Sequence, residues 1–176
     1  MGAVATTTRL RPPAHRVSPK AIRLWILQAA IGSVVTLALL SAAVWGLLLA
    51  SWDWVPDWLL RNAWWLVALY AVYALARTVI VPQWRYRVHR WEITADVVYT
   101  RSGWFSRQWQ LVPVSRIQTV DHRQGWMERM FGVATLEVQT ASHAGSSTIE
   151  GLAAADAQRI SEELAERAAE LRDDAT

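Results

Sequence analysis

Arginine is the side chain with which this sequence could do chemistry. Arg85, Arg87 and Arg90 crowd into one short stretch, and Arg101 and Arg107 flank a turn at Gly103 with Trp104 and Phe105 at its tip. A guanidinium is a permanently charged fork of donors that matches phosphate and carboxylate oxygens. Base interleaved with aromatic rings therefore suits an anionic surface. The same aromatics could instead pack inward and leave the arginines merely solvated. Lys20 is the only lysine, and the formal net charge is +3. Arginine richness by itself can also reflect coding composition.

Other chemistry finds little support. His15, His89, His122 and His143 are scattered, and no pair has metal-ligand spacing on a helix. Asp121 and His122 fall on opposite faces of a strand, and the neighbours Ser142 and His143 do not make a nucleophile and base. There is no cysteine, hence no thiolate ligand, thiol nucleophile or disulfide. No glycine loop of the phosphate-cradling kind is present. The sequence implies no enzyme, no cofactor and no metal. Nucleic acid is also a poor fit, because the base is spread over a tail and several strands.

The elements that must carry these arginines begin with two apolar runs. Leu24 to Ala50 has no charged residue, and Asn62 to Val81 has only Arg77, near its end. At ~1.5 Å per residue the first exceeds the roughly 30 Å hydrocarbon core of a bilayer. With residues 51–61 between them, the runs predict an antiparallel transmembrane hairpin. Residues 1–23 are basic, acid-free and proline-interrupted, and read as a disordered tail. Base flanks the hairpin at both ends and is scarce in its loop, so the positive-inside rule places both termini in the cytoplasm. The lipid bilayer is thus the first partner. A signal peptide fits the first run poorly, since the run is far longer than the usual apolar region. Trp52, Trp54 and Trp58 in the loop, with Trp64 and Trp65 beyond, suit anchoring at headgroup depth.

From residue 82 the pattern predicts one small cytosolic domain. Trp84, Tyr86 and Val88 alternate with Arg85, Arg87 and His89, which reads as a bulged strand continuing to Ile93. Further strands are expected over residues 97–101, 105–113, 117–122, 133–140 and 148–150. Ala134, Leu136 and Val138 take the inward parity. Ala157, Ile160, Leu164, Ala168 and Leu171 then recur at helical spacing, predicting a C-terminal helix over about 153–172. Strands followed by one amphipathic helix imply an α+β domain: a small antiparallel barrel or sandwich capped at one end.

Two segments carry a resemblance. Pro113-Val114-Ser115-Arg116-Ile117-Gln118-Thr119-Val120, then Gln124-Gly125-Trp126-Met127-Glu128-Arg129-Met130-Phe131-Gly132-Val133, followed by Thr140-Ala141, resemble the YdbS-type bacterial pleckstrin-homology-like family. The hairpin formed by Ile93 to Asp96 and Arg101 to Gly103 is similar as well, and the match runs from about Ile93 to Leu152. The paired helices before the domain are also the family arrangement. The resemblance implies a bent seven-stranded barrel closed by the C-terminal helix. It also implies a partner: another membrane protein bearing such domains, in assemblies linked to resistance to membrane-active peptides. Read from the residues alone, Gly125 and Gly132 bracket a turn that wants small residues. Met127, Met130 and Phe131 suggest a short helix plugging a barrel opening, with Glu128 or Arg129 able to pair with Arg116 or Asp121.

Two functions follow as expectations. The first is a non-enzymatic subunit of a membrane assembly. Small residues in the first helix (Ala29, Ala30, Gly32, Ser33, Ser41, Ala42, Ala43, Gly46) would allow close helix contact, within the hairpin or beyond it. The second is an anionic-lipid-sensing module without an obligate protein partner, using Arg85, Arg87, Arg90, Arg101, Arg107 and Trp104 against headgroups.

Overall fold

In the computed structural model, residues 12–50, 55–103, 108–141 and 145–173 are described. The expected headgroup candidates Trp104 and Arg107 lie outside them. Two long helices come first, α1 (Lys20–Leu49) and α2 (Asp57–Val88), both apolar and long enough to cross a membrane. Their outer surfaces expose Val34, Leu39, Trp65, Leu69 and Val72, as suits lipid contact, while Ser33, Val44, Ala63 and Ala74 are buried. Gly32 and Gly46 turn the other way: a Cβ at either would meet nothing within 4 Å. The small residues of α1 are thus divided between the hairpin seam and the outside.

The domain is built from two antiparallel sheets and two further helices. A strand from the tail, β1 (His15–Arg16), pairs with β2 (Arg90–Ile93), which pairs with β3 (Val97–Ser102) and that with β4 (Gln108–Pro113). The second sheet holds β5 (Ile117–Arg123), β6 (Val133–Thr140) and β7 (Ser147–Ala153), and the short α3 (Trp126–Phe131) lies between its first two strands. Helix α4 (Ala154–Asp173) packs on β5, β6 and β7. Among the described residues the two sheets share no strand pairing, so the expected barrel is not closed. Contact between them runs through side chains, including a hydrogen bond between the buried hydroxyls of Thr100 and Ser147 at 2.9 Å. The core gathers Val98, Val112, Leu136, Val138, Leu152 and, from α4, Ile160 and Leu164. Ala134, Leu136 and Val138 do point inward. Of the α4 stripe, Leu171 stays 42% exposed.

Three expectations are corrected. The alternation over residues 84–89 belongs to a helix, since α2 continues through Pro82 to Val88. Val81, Arg85 and His89 recur every four residues along one face and line a common cleft against the domain, and Arg85 and Arg87 in the last turn suit the negative end of the helix dipole. Of the tail expected to be disordered, residues 1–11 lie outside the described residues, and residues 12–23 are packed on the domain. Val17 and Ala21 are buried core residues, the Ser18 N–H donates to the Gly151 carbonyl at 2.8 Å, and Trp91 Nε1 donates to the Arg16 carbonyl at 3.3 Å. Prolines do not forbid this, because Pro12 and Pro13 precede the strand and Pro19 stands at the start of α1, where a backbone N–H is not needed. Finally, the turn expected at Gly103 belongs to a longer connection between β3 and β4, since the strands pair only up to Ser102 and Gln108.

Candidate functional site

The expected headgroup arginines take three different roles. Arg85 sits in the last turn of α2, where its guanidinium lies 4.2 Å over the Trp25 ring of α1 and forms an ion pair with Glu150 of β7. It joins both membrane helices to the second sheet. His89 caps the same turn, its Nδ1 2.9 Å from the Arg85 carbonyl and its ring 5.7 Å from Trp25. Burial, and then the positive charge of Arg85, lower its pKa below the ordinary 6.5. Arg87 is exposed. Arg90 donates from Nη1 to the Pro13 carbonyl at 3.4 Å, and Arg101 from Nε to the Val88 carbonyl at 3.2 Å, with its guanidinium 5.3 Å from the Trp109 ring.

The motif residues build a capped turn. Gln124 donates to the Val133 carbonyl at 2.9 Å and ties both ends of α3 together. The Glu128 carboxylate accepts from the Gly125 N–H at 2.7 Å, satisfying a donor at the helix start, and from the Thr135 hydroxyl at 2.7 Å. Gly132 ends the helix at φ +63°, a left-handed conformation that glycine adopts without strain. Glu128 is therefore engaged by α3 and β6 rather than by Arg116 or Asp121. Met127 and Phe131 pack against the core, whereas Met130 is 69% exposed. Ile117 is buried in the core, and Arg116, Gln118 and Arg129 are exposed.

A polar cleft of about 590 Å³ opens where α1 meets the second sheet, lined by Trp25, Gln28, Arg85, Arg123, Glu137 and Glu150 among others. Four of its charges are matched in pairs, Arg85 with Glu150 and Arg123 with Glu137, while the Glu128 carboxylate on its wall is held by the Gly125 N–H and the Thr135 hydroxyl. Ser161 Oγ lies 3.4 Å from His122 Nδ1 but donates to the Gln158 carbonyl at 2.7 Å, so the imidazole does not hold it as a nucleophile. Among the described residues no three His, Asp or Glu side chains converge as a metal-ligand set. Trp25, Glu150 and Gly151 were not singled out from sequence. Trp25 sits inside a run that reads as lipid-facing, and strand pairing alone brings the other two beside it.

A transmembrane hairpin joined to a small α+β domain, in which charged residues fix helices to strands, defines a membrane protein whose domain is seated on its own helices. Comparison with known proteins agrees. The Bacterial PH domain family matches residues 21–168, and the chain belongs to that family. It is similar to the UPF0699 transmembrane protein YdbS of Bacillus subtilis (strain 168), with 29% identity over 164 residues covering 92% of this chain and 96% of the relative. No solved structure matches. The family match includes both membrane helices, so hairpin and domain recur as one unit.

Proposed function

We propose that this protein acts by binding rather than catalysis, as a subunit of a cytoplasmic-membrane assembly whose other member is a membrane protein bearing PH-like domains. Both termini lie in the cytoplasm. The observation that carries the reading is the outward placement of Gly32 and Gly46 on α1. The hairpin does not use them, and open space surrounds each, so a second helix can approach the backbone there. The family resemblance supports the kind of partner, and the flanking arginines support the orientation.

Gentle extraction of the tagged chain from its native membrane, followed by identification of stoichiometric companions, tests the assembly. Wild type should bring down a PH-domain membrane protein. Gly32→Leu with Gly46→Leu should reduce its recovery severalfold while leaving the abundance of the chain unchanged. Recovery of wild type alone, or equal recovery by the variant, would end this reading. The orientation is checked by placing a single cysteine at Ser51 or Ser146: only the first should react with an impermeant reagent on intact cells.

A further inference from the structure

Three arginines stand side by side across the four-stranded sheet. The register pairs Arg16 with Arg90, Arg90 with Arg101, and Arg101 with Trp109. Val98, Thr100 and Val112 are buried on the opposite parity, so the row lies on the outer face. Directly opposed residues on neighbouring strands sit about 5 Å apart, close enough for like charges to repel. Two positions further along, the same face carries Glu92, Tyr99 and Leu111 in register. Leu111 is 51% exposed and Tyr99 stacks on Trp109 at 5.7 Å.

The place of this row in the molecule gives it a meaning. Arg101 reaches the last carbonyl of α2, and the Arg16 guanidinium lies 5.9 Å from the ring of Tyr86 in the last turn of that helix. The row thus straddles the point where a membrane-spanning helix ends, next to the exposed Arg87. The helix dipole accounts for Arg101 and Arg87. It does not account for Arg16 and Arg90 beside them. Glu92, a carboxylate on this face, accepts the Ala14 N–H at 3.0 Å, and Arg90 donates from Nη1 to the Pro13 carbonyl at 3.4 Å.

We propose that the outer face of this sheet, centred on Arg16, Arg90 and Arg101, docks on the phosphates of anionic lipids in the leaflet from which α2 emerges. Forked guanidinium donors match phosphate oxygens, and Trp109 and Leu111 supply the rings and apolar surface that settle at headgroup depth. The domain lies against an anionic membrane and stands off a neutral one. This rests on the reading of α1 and α2 as bilayer-spanning, and not on any protein partner.

The chain has no cysteine, so a single spin label at Leu111→Cys can be read in nanodiscs that hold only this protein. The discs contain phosphatidylcholine alone or mixed with phosphatidylglycerol, and a label at Gln139→Cys on the other sheet is the control. Phosphatidylglycerol should lower the accessibility of the Leu111 label to an aqueous relaxation agent severalfold and leave the Gln139 label unmoved. Arg16→Glu, at a side chain that is exposed and lies against the Tyr86 ring, should cut that change by at least half, as should high salt. Arg16→Gln should give an intermediate result. Equal accessibility in both lipids, or an effect that survives Arg16→Glu, would overturn the proposal. So would protection already complete in phosphatidylcholine, which would mean that the face is covered without any anionic lipid. Because no partner is present, failure here is separate from failure of the assembly reading.

Discussion

Replacing Gly151 by alanine should loosen the joint between membrane helix and domain. Gly151 lies in β7 at φ +78°, where a Cβ would sit 2.7 Å from Ala21 Cβ and 3.2 Å from Trp25 Cζ2, both on α1. A non-glycine residue in the left-handed region costs about 1–2 kcal/mol. The overlap adds more, because Ala21 is fully buried and has no flexible end to swing aside. Overpacking of this kind typically costs about 1–3 kcal/mol, for a total of roughly 2–5 kcal/mol. Gly132→Ala is the matched control. It has a similar φ of +63°, but its Cβ would meet only the mobile end of Lys20, at 3.7 Å. It should cost the backbone part alone, about 1–2 kcal/mol. Thermal unfolding of the full chain in one detergent reads the difference, at about 2–4 °C per kcal/mol for a chain of this size. Gly151→Ala should lower Tm on the order of 10 °C and Gly132→Ala roughly half as much or less. Adding Ala21→Gly to Gly151→Ala should restore part of the loss. If Gly151→Ala unfolds no earlier than Gly132→Ala, α1 is not seated on β7 as described.

The ion pair from Arg85 to Glu150 should be coupled but modest. Its side chains are 32% and 44% exposed, so solvent screening limits a double-mutant cycle of Arg85→Met and Glu150→Gln to about 1 kcal/mol. Arg85→Met alone should cost more than Glu150→Gln, because it also removes the cation–π contact with Trp25. Equal single costs would refute that contact. His89 makes a prediction about pH. Its folded pKa is depressed below 6.5 by burial and by Arg85, so the unfolded chain takes up a proton before the folded chain does. Stability should therefore fall as pH drops through about 6.5 toward the folded value, and then level off. His89→Gln should flatten that part of the Tm profile. An unchanged profile would show that the imidazole protonates freely in the fold.

How much of this was legible in the sequence depends on which forces leave a one-dimensional trace. The hairpin was, because a bilayer demands an unbroken apolar run. So were the inward parity of Ala134, Leu136 and Val138 and most of the α4 stripe, because burial repeats at the period of the element. The end of α2 was not. Trp84 to His89 alternate like a strand, and only their packing against the domain reveals the four-residue spacing of Val81, Arg85 and His89. Residues 12–23 depart from the expectation for a related reason: prolines and base suggest disorder locally, while Val17 and Ala21 are held by a core formed far away in sequence. At the site, Gln124, Gly125, Glu128 and Gly132 carry a local signature and prove to make a capped turn. Arg85 looked like its neighbours. Its partners Trp25 and Glu150 are sixty or more residues away, and no spacing rule could have singled them out.

The corrected boundaries change what the domain can do. At ~1.5 Å per residue, the 30 residues of α1 span about 45 Å and the 32 of α2 about 48 Å, each well beyond a hydrocarbon core of roughly 30 Å. The excess is not spare length. The first turns of α1 place Ala21, Leu24 and Trp25 in the domain core, and the last turn of α2 supplies Arg85 to β7 and the Val88 carbonyl to Arg101. A flexible tether would let the domain sample every orientation above the membrane. Two helices entering one core instead fix which face it turns toward the lipid. A change in hairpin packing, such as a second helix seated against Gly32 and Gly46 would impose, must then tilt the sheets with it. The proposed binding in the bilayer and the proposed docking at its surface would be coupled by this shared core, so loosening it at Gly151 should weaken the dependence of each on the other.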